Sequence, residues 1–422
     1  MRLPRRAAAF RDETGQEADP PAGPRILYLA HDLADAAVAR RLRMLQAAGA
    51  RVTLAGFSRG GEPAAVPALV LGQTRNGRLA ARVPVVARAA ALMRRRLRGM
   101  AEPDLILARN LEMLVLARRA AALWAGRPRL VYEVLDIHRT MQDGGAAGRT
   151  LRWLERRLAR PAAALVTSSP AFVTNHFRRH GQTAPGTAII LAENRPFLPE
   201  GPPPPPAPRH APAARAAGDG EGGPVRIGWF GILRCAESLE ALAGLTRRFP
   251  GRFRVILAGR PALDVLPGFH ETLARCPDLA FNGPYRSPED LPRLYGGCDL
   301  AWLVDRYEAG GNSEWLLPNR LYEGCLHGAV PVALAGTECA RRLDALGIGL
   351  RLAELAPAEM DRALAGLDRA AIDRLAGDVA AVDRRQWHCD GGDAAAFLRA
   401  IMAPRRDPGS GTGARASQEA TA

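Results

Sequence analysis

Short apolar runs closed by polar residues recur along this chain, with helical periodicities between them. Ile26-Leu27-Tyr28-Leu29-Ala30 is such a run, ended by His31-Asp32. From Ala36 to Ala48 the residues Val38, Leu42 and Leu45 fall on one helical face, and Gly49 supplies the stop. Val52 to Phe57 is the next run. Strand, helix and strand in that order predict a βαβ unit, and repeated units predict a parallel sheet.

The alternation continues with strands at Asp104–Ala108, Arg129–Val134, Ala163–Thr167 and Ala188–Leu191, and an Arg-rich helix at Thr150–Arg160. It breaks at 197–224, where five consecutive prolines (Pro202 to Pro206) and then Ala, Gly and Pro make a stiff spacer running into a flexible one. It then restarts. Strands are predicted at Val225–Phe230, Arg254–Ala258, Asp299–Val304 and Val330–Leu334, with helices at Glu237–Arg248, Pro288–Tyr295 and Leu316–His327. Helical material fills Ala358 to Met402. The fold class is therefore α/β, with two Rossmann-like domains facing a cleft. The predicted division is a disordered tail 1–24, a first domain 25–196, a linker 197–224, a second domain 225–403 and a disordered tail 404–422.

Ligands of open α/β sheets bind beyond the carboxyl ends of the strands. That rule gathers His31-Asp32, Glu133 to His138, Gly231 to Arg234 and Glu308 to Glu323 around the cleft.

Composition adds three constraints. No stretch of the 422 residues reaches the ~18 apolar residues of a membrane span, and Met1 to Pro24 has no apolar signal region. A cytoplasmic location is expected. The six cysteines all lie in the second half without a C-x-x-C, and so read as reduced core thiols. All 58 basic residues are Arg, and they are unevenly placed: residues 1–200 carry 32 Arg against 16 acids, net +16, and the remainder carries 26 against 27. The first half is thus expected to face something anionic. The segment Leu79 to Arg98 sets Val83, Val86, Ala90 and Leu97 among six Arg; this pattern is either a basic amphipathic helix lying on an anionic leaflet or a solvated Arg face.

The second half resembles the nucleotide-sugar-binding domain of glycosyltransferases with the two-Rossmann B fold. The resemblance is carried by Trp229-Phe230-Gly231-Ile232-Leu233-Arg234, by Ile256 to Arg260, by Asn282-Gly283-Pro284-Tyr285, and above all by Leu317-Pro318-Asn319-Arg320-Leu321-Tyr322-Glu323-Gly324. In the first half, His31 to Asp35, Gly56 to Arg59 and Tyr132 to His138 are similar to exopolysaccharide transferases of the succinoglycan-biosynthesis type. The resemblance covers roughly residues 25–400. It implies donor-binding roles for Gly231, Arg234, Arg260, Tyr285, Asn319, Arg320 and Glu323, with Glu323 on the ribose hydroxyls and Arg320 on a phosphate. Spacing agrees: Glu323 lies one helical turn past Asn319 and Arg320. Gly231 lets backbone approach a phosphate within reach of Arg234. Tyr285 either lines the nucleobase site or packs within its own loop.

Many retaining relatives carry two glutamates with seven residues between them, whereas the position eight before Glu323 is Trp315, with Glu308 and Glu314 displaced. The Lys that assists the first phosphate loop is missing, and Glu237 stands nearby. An inverting displacement is therefore expected, which needs a base in the first domain to take the acceptor proton. Two constellations compete, His31 with Asp32 and Asp136 with His138, the latter close to Glu133. Absence of a D-x-D in the first domain points to a metal-independent reaction, with Arg and a helix N-terminus stabilising the leaving group.

The expected function is transfer of a hexose from a nucleotide-diphosphate sugar, UDP-glucose first, to a lipid-linked exopolysaccharide intermediate. The enzyme would need no further cofactor and would sit peripherally at the inner face of the plasma membrane. Two alternatives are a nucleotide-sugar epimerase of the same build and a basic nucleic-acid-binding protein. The second has against it the lack of basic motifs interleaved with aromatics, so no nucleic-acid partner is expected.

Overall fold

The computed structural model describes residues 23–59, 67–74, 79–202 and 223–405. Most of the predicted tail 1–24, of the linker 197–224 and of the tail 404–422 lies outside them.

Two wholly parallel sheets form the molecule. The first has seven strands: β1 (Arg25–Ala30), β2 (Arg51–Ser58), β3 (Leu69–Gln73), β4 (Leu105–Arg109), β5 (Arg129–Val134), β6 (Ala164–Thr167) and β7 (Ala188–Leu191). Their spatial order is β3-β2-β1-β4-β5-β6-β7. The second has six: β8 (Val225–Leu233), β9 (Phe253–Pro261), β10 (Leu279–Phe281), β11 (Leu300–Trp302), β12 (Val330–Leu334) and β13 (Leu350–Leu352), ordered β10-β9-β8-β11-β12-β13. Helices cover both faces of each sheet, so central strands are apolar at nearly every position. Leu27, Tyr28, Leu29 and Ala30 are fully buried in β1, as are Ile106, Leu107 and Ala108 in β4. In each sheet the order reverses beside the first strand, between β1 and β4 and between β8 and β11. The strand ends there open a crevice.

Three strands were not expected: β3, β10 and β13. All are edge strands of three to five residues, too short to carry a hydrophobic pattern of their own. Strands β8 and β9 run further than expected, through Gly231 to Leu233 and through Gly259 to Pro261. The long terminal helical region is broken into Pro357–Met360, Asp361–Ala365, Arg369–Ala381, Arg384–Gln386 and Gly391–Met402.

The last of these helices departs from the division drawn at 403. Phe397, Leu398 and Ile401 are buried among Ile26, Val38, Leu42 and Leu45, so Gly391–Met402 packs on the first sheet. The chain therefore crosses between domains a second time. The two crossings run side by side: Leu198 N donates to Cys389 O at 2.8 Å, and Cys389 N to Pro196 O at 2.8 Å. All six cysteines are buried and unbridged.

Candidate active site in the interdomain cleft

On the first-domain side, the loop after β1 is fixed from below. Glu133 in β5 is completely buried; Arg41 Nε and Arg109 Nε each donate to it at 2.8 Å, and the Tyr28 hydroxyl at 2.9 Å. Burial alone would raise this carboxyl, but Arg109 and Arg41 hold it down to about 2. Arg109 also reaches Ala37 O at 3.3 Å and Asp35 at 3.6 Å. Glu133 is therefore held as an anion that anchors two arginines.

The anticipated His31–Asp32 pair does not form. Successive residues leave an extended strand in opposite directions. Asp32 accepts from Ala34 N at 3.0 Å and faces Arg59 Nε at 3.6 Å, while His31 Nε2 lies 3.9 Å from Asp35. Burial lowers the His31 ring to about 4, leaving it neutral near pH 7, and its Nδ1 is buried without a hydrogen-bond partner.

Asp136 and His138 are also separate from each other. His138 Nδ1 accepts from Thr140 N at 3.3 Å and caps the short helix Arg139–Gln142; burial, then Arg82, lowers its pKa. Asp136 is an exposed residue of the cleft, but its carboxyl is bonded by Asn312 of the second domain. Desolvation of that carboxyl, then the negative charge of Glu308, pushes it up to about 6.

His31, Asp136 and His138, from the two competing constellations, line a single cavity of about 390 Å³. Its wall includes a residue that sequence reasoning missed, Glu112, which takes a 2.7 Å hydrogen bond from Arg82 Nη1. Burial would raise the Glu112 carboxyl, but a backbone hydrogen bond and Arg82 hold it below the usual range. Asp32 does not line the cavity; its partner Arg59 does.

On the second-domain side, the helix Asn319–Leu326 begins behind Pro318 and brings Asn319, Arg320 and Glu323 together. Glu323 is buried and receives the Tyr295 hydroxyl at 3.4 Å. Burial raises its pKa against the pull of Arg40 and Arg320. Arg320 Nη1 is buried and has no hydrogen-bond partner. That orphaned donor beside a helix N-terminus fits an anionic group of a ligand.

Tyr285 packs edge-on to Phe230, centroids 6.4 Å apart, within the fields of Glu323 and Arg320. Gly231 has φ +106° and Gly259 φ +127°; a Cβ on Gly259 would stand 1.9 Å from Gly231 O, so only glycine allows these strand ends to pair. Gly231 thus lies inside β8, beside Tyr285, rather than after the strand. Arg234 does stand past the strand end, but its Nε binds Asp305 at 3.1 Å, and its guanidinium lies 4.9 Å from the Tyr307 ring centroid. Arg260 is exposed at the end of β9, in register with Ile232, the residue after Gly231. Glu237, near the missing Lys, pairs with Arg306 at 2.7 Å.

Asn312 joins the two sides, and nothing in the sequence pattern marks it. Its Nδ2 approaches Asp136 Oδ1 at 2.5 Å, Ile137 O at 2.7 Å and Glu308 Oε2 at 2.7 Å, while Ile137 N donates to its Oδ1 at 3.2 Å. Two amide hydrogens meet three acceptors, two of them carboxylates. A proton on Asp136 would relieve the crowding, in keeping with its raised pKa. Trp315 fills the place of the missing glutamate. Its ring meets Phe172 edge-on at 6.5 Å, it packs with the first-domain core, and its carbonyl accepts from the Ser169 hydroxyl. Glu314 turns back to accept from Gly310 N at 2.8 Å.

Among the described residues no helix is long and apolar enough to cross a membrane, and no group of three or more His, Cys, Asp or Glu could hold a metal ion.

No protein-family model matches the chain. It is 47% identical over 331 residues to the succinoglycan biosynthesis protein ExoL of Rhizobium meliloti (strain 1021), covering 78% of this chain and 80% of that protein. Among solved structures it is similar to sucrose-phosphate synthase from Thermosynechococcus elongatus, with TM-score 0.66, 13% identity, and 89% and 97% of the two chains covered. It is also similar to Anabaena HepE in complex with UDP and glucose, with TM-score 0.60, 18% identity, and 89% and 98% covered. WaaG, a glycosyltransferase involved in lipopolysaccharide biosynthesis, aligns with TM-score 0.56, 14% identity, and 88% and 99% covered. These likenesses establish the two-domain B fold of glycosyltransferases.

Proposed function

This chain belongs to the family of the succinoglycan biosynthesis protein ExoL, and as a glycosyltransferase of exopolysaccharide biosynthesis we propose that it moves a hexose from a UDP-sugar to a lipid-linked saccharide. Glucose is the donor sugar we favour, because HepE, which shares the fold, is described in complex with UDP-glucose.

In this reading Glu323 accepts from the ribose hydroxyls, Arg320 receives the diphosphate on its orphaned Nη1, and Tyr285 flanks the base. The acceptor enters the first-domain cavity. Asp136 is the base we favour, since it stands where the two domains meet. It takes the proton of the acceptor hydroxyl as that oxygen attacks the anomeric carbon from the face opposite UDP. The bond from that carbon to the β-phosphate oxygen breaks, and the new negative charge collects against Arg320 and the helix N-terminus, so the step runs without a metal. The sugar inverts. His31, neutral and in the same cavity, is the second candidate.

The observation carrying this reading is the 2.5 Å bond from Asn312 to Asp136, which ties the base-lined cavity to the domain bearing Asn319, Arg320 and Glu323. Two surface features support peripheral attachment to an anionic membrane. Val83, 63% exposed, lies on the helix Leu79–Arg96, whose last turn is Arg94-Arg95-Arg96; Trp153, 58% exposed, lies among Arg149, Arg156 and Arg157 on the helix Ala146–Ala159. Val83, Val86, Val115 and Leu154 also give the cavity an apolar wall suited to a lipid-proximal group.

The test supplies purified protein with radiolabelled UDP-glucose and a lipid-diphosphate-linked saccharide. Label should pass into the solvent-extractable lipid fraction, with the glycosidic linkage inverted by NMR. Release of a new free sugar from donor and water alone would favour the epimerase instead.

A further inference from the structure

Arg40 and Arg41 are neighbours on the helix Ala36–Ala47, yet they serve different domains. Arg41 turns inward to Glu133 and lies 4.1 Å from the Phe397 ring centroid. Arg40 turns toward the cleft. Its Nη1 donates to Asn194 O at 3.0 Å and reaches Arg195 O at 3.5 Å, both on the first crossing between domains, and its Nη2 reaches Asn319 Oδ1 at 3.5 Å. Three parts of the chain thus converge on one guanidinium: a first-domain helix, the crossing segment and the first residue of the helix bearing Glu323.

The charges agree with this placement. Burial lowers the Arg40 pKa, and Glu323 is the main group opposing that effect. Burial raises Glu323, and Arg40 is the foremost cation opposing it, ahead of Arg320 on its own helix. The other titratable groups facing Glu323 are the Tyr295 hydroxyl, 3.4 Å away, and Tyr285. Two arginines, one from each domain, therefore sustain this carboxylate where it is largely cut off from water.

We propose that Arg40 is a positioning residue of the donor site: by holding Asn319 and facing Glu323 from the opposite domain, it completes the nucleotide-binding group only when the two domains are closed. This rests on the reading that Glu323 holds the donor ribose. A nucleoside diphosphate then senses domain closure through a residue of the acceptor-side domain.

The test is calorimetric titration with UDP at pH 6, 7 and 8 for the full-length protein and its Arg40→Gln, Arg40→Lys and Glu323→Ala variants. Arg40→Gln should bind UDP about tenfold more weakly at pH 7, the size of one charged hydrogen-bonded contact. Its loss of affinity on acidification should set in at a higher pH than in the parent, because the carboxyl has lost a cation that kept it ionised. Arg40→Lys should be about threefold weaker, since an ammonium keeps the charge but not the fork. Glu323→Ala should bind weakly at all three pH values. Parental affinity and pH profile in Arg40→Gln, beside a weak Glu323→Ala, would overturn the role of Arg40 and leave the ribose reading standing. Parental affinity in Glu323→Ala would overturn both. Should Arg40→Gln fail to melt cooperatively, Arg40→Lys decides, and parental affinity there overturns the proposal.

Discussion

Glu133 and Arg109 form a 2.8 Å ion pair from which water is wholly excluded, and the loop carrying His31 is built upon it. Arg109 spans from that carboxylate to Ala37 O and Asp35, so the floor of the first domain and the lip of its cavity share one cation.

Replacing Glu133 with Gln leaves Arg41 and Arg109 buried without their anion. Unfolding free energy should fall by about 3–5 kcal/mol, as when one partner of a buried pair is removed, measured by urea titration. The pH dependence has a definite sign. The Glu133 carboxyl is held down to about 2 from an ordinary 4.5, so its contribution is complete above pH 4.5 and disappears as pH falls toward 2. The variant should lack that part of the acid transition.

Turnover should identify the base. With Asp136 raised to about 6 and His31 lowered to about 4, a base-dependent rate falls on acidification through about 6 in the first case and only near 4 in the second. Asp136→Asn should abolish turnover and leave UDP affinity unchanged. An acid limb near 4, with Asp136→Asn still active, would move the role to His31.

Arg320→Ala and Glu323→Ala should each weaken UDP binding by about 1.5–3 kcal/mol, the usual loss for a hydrogen bond to a charged group. Melting without ligand should change little for Glu323→Ala, because the cost of ionising this buried carboxyl is offset by the Arg40 it faces. Unchanged UDP affinity in both variants would remove the donor assignment.

Trp315 is wedged against Phe172 across the domain boundary. Trp315→Ala should cost about 2–4 kcal/mol by opening a void at a partly buried aromatic. Small-angle scattering should record a larger radius of gyration. Trp315→Glu, which restores the spacing of two-glutamate relatives, should be at least as damaging, because the carboxylate would face an apolar cluster.

Membrane attachment is tested with vesicles. Changing Arg94, Arg95, Arg96 and Arg98 to Gln should reduce binding to anionic vesicles and leave UDP affinity intact, and Trp153→Ser should reduce it further. Salt should release the parent protein, since surface charge is screened over about 10 Å at 0.1 M. Equal binding to neutral and anionic vesicles would contradict the attachment.

The architecture was legible because buried parallel strands are written as unbroken apolar runs. Edge strands such as β13 offer three residues and no such run. At the site, Asn319, Arg320 and Glu323 were readable since one short helix holds them all. Partnerships were harder. His31 and Asp32 are adjacent in sequence, but strand geometry turns them apart. Arg40, Glu112 and Asn312 act on residues distant in sequence, and their local surroundings are those of ordinary helix residues. The final helix carried an amphipathic pattern that announces burial without naming the sheet that receives it.

That helix also bears on how the molecule moves. With Pro196-Phe197-Leu198 and Cys389 hydrogen-bonded side by side, the two crossings act like a pair of pins in one hinge plate. A single connecting strand would let the halves swivel freely; a pinned pair permits opening about one axis and resists twisting.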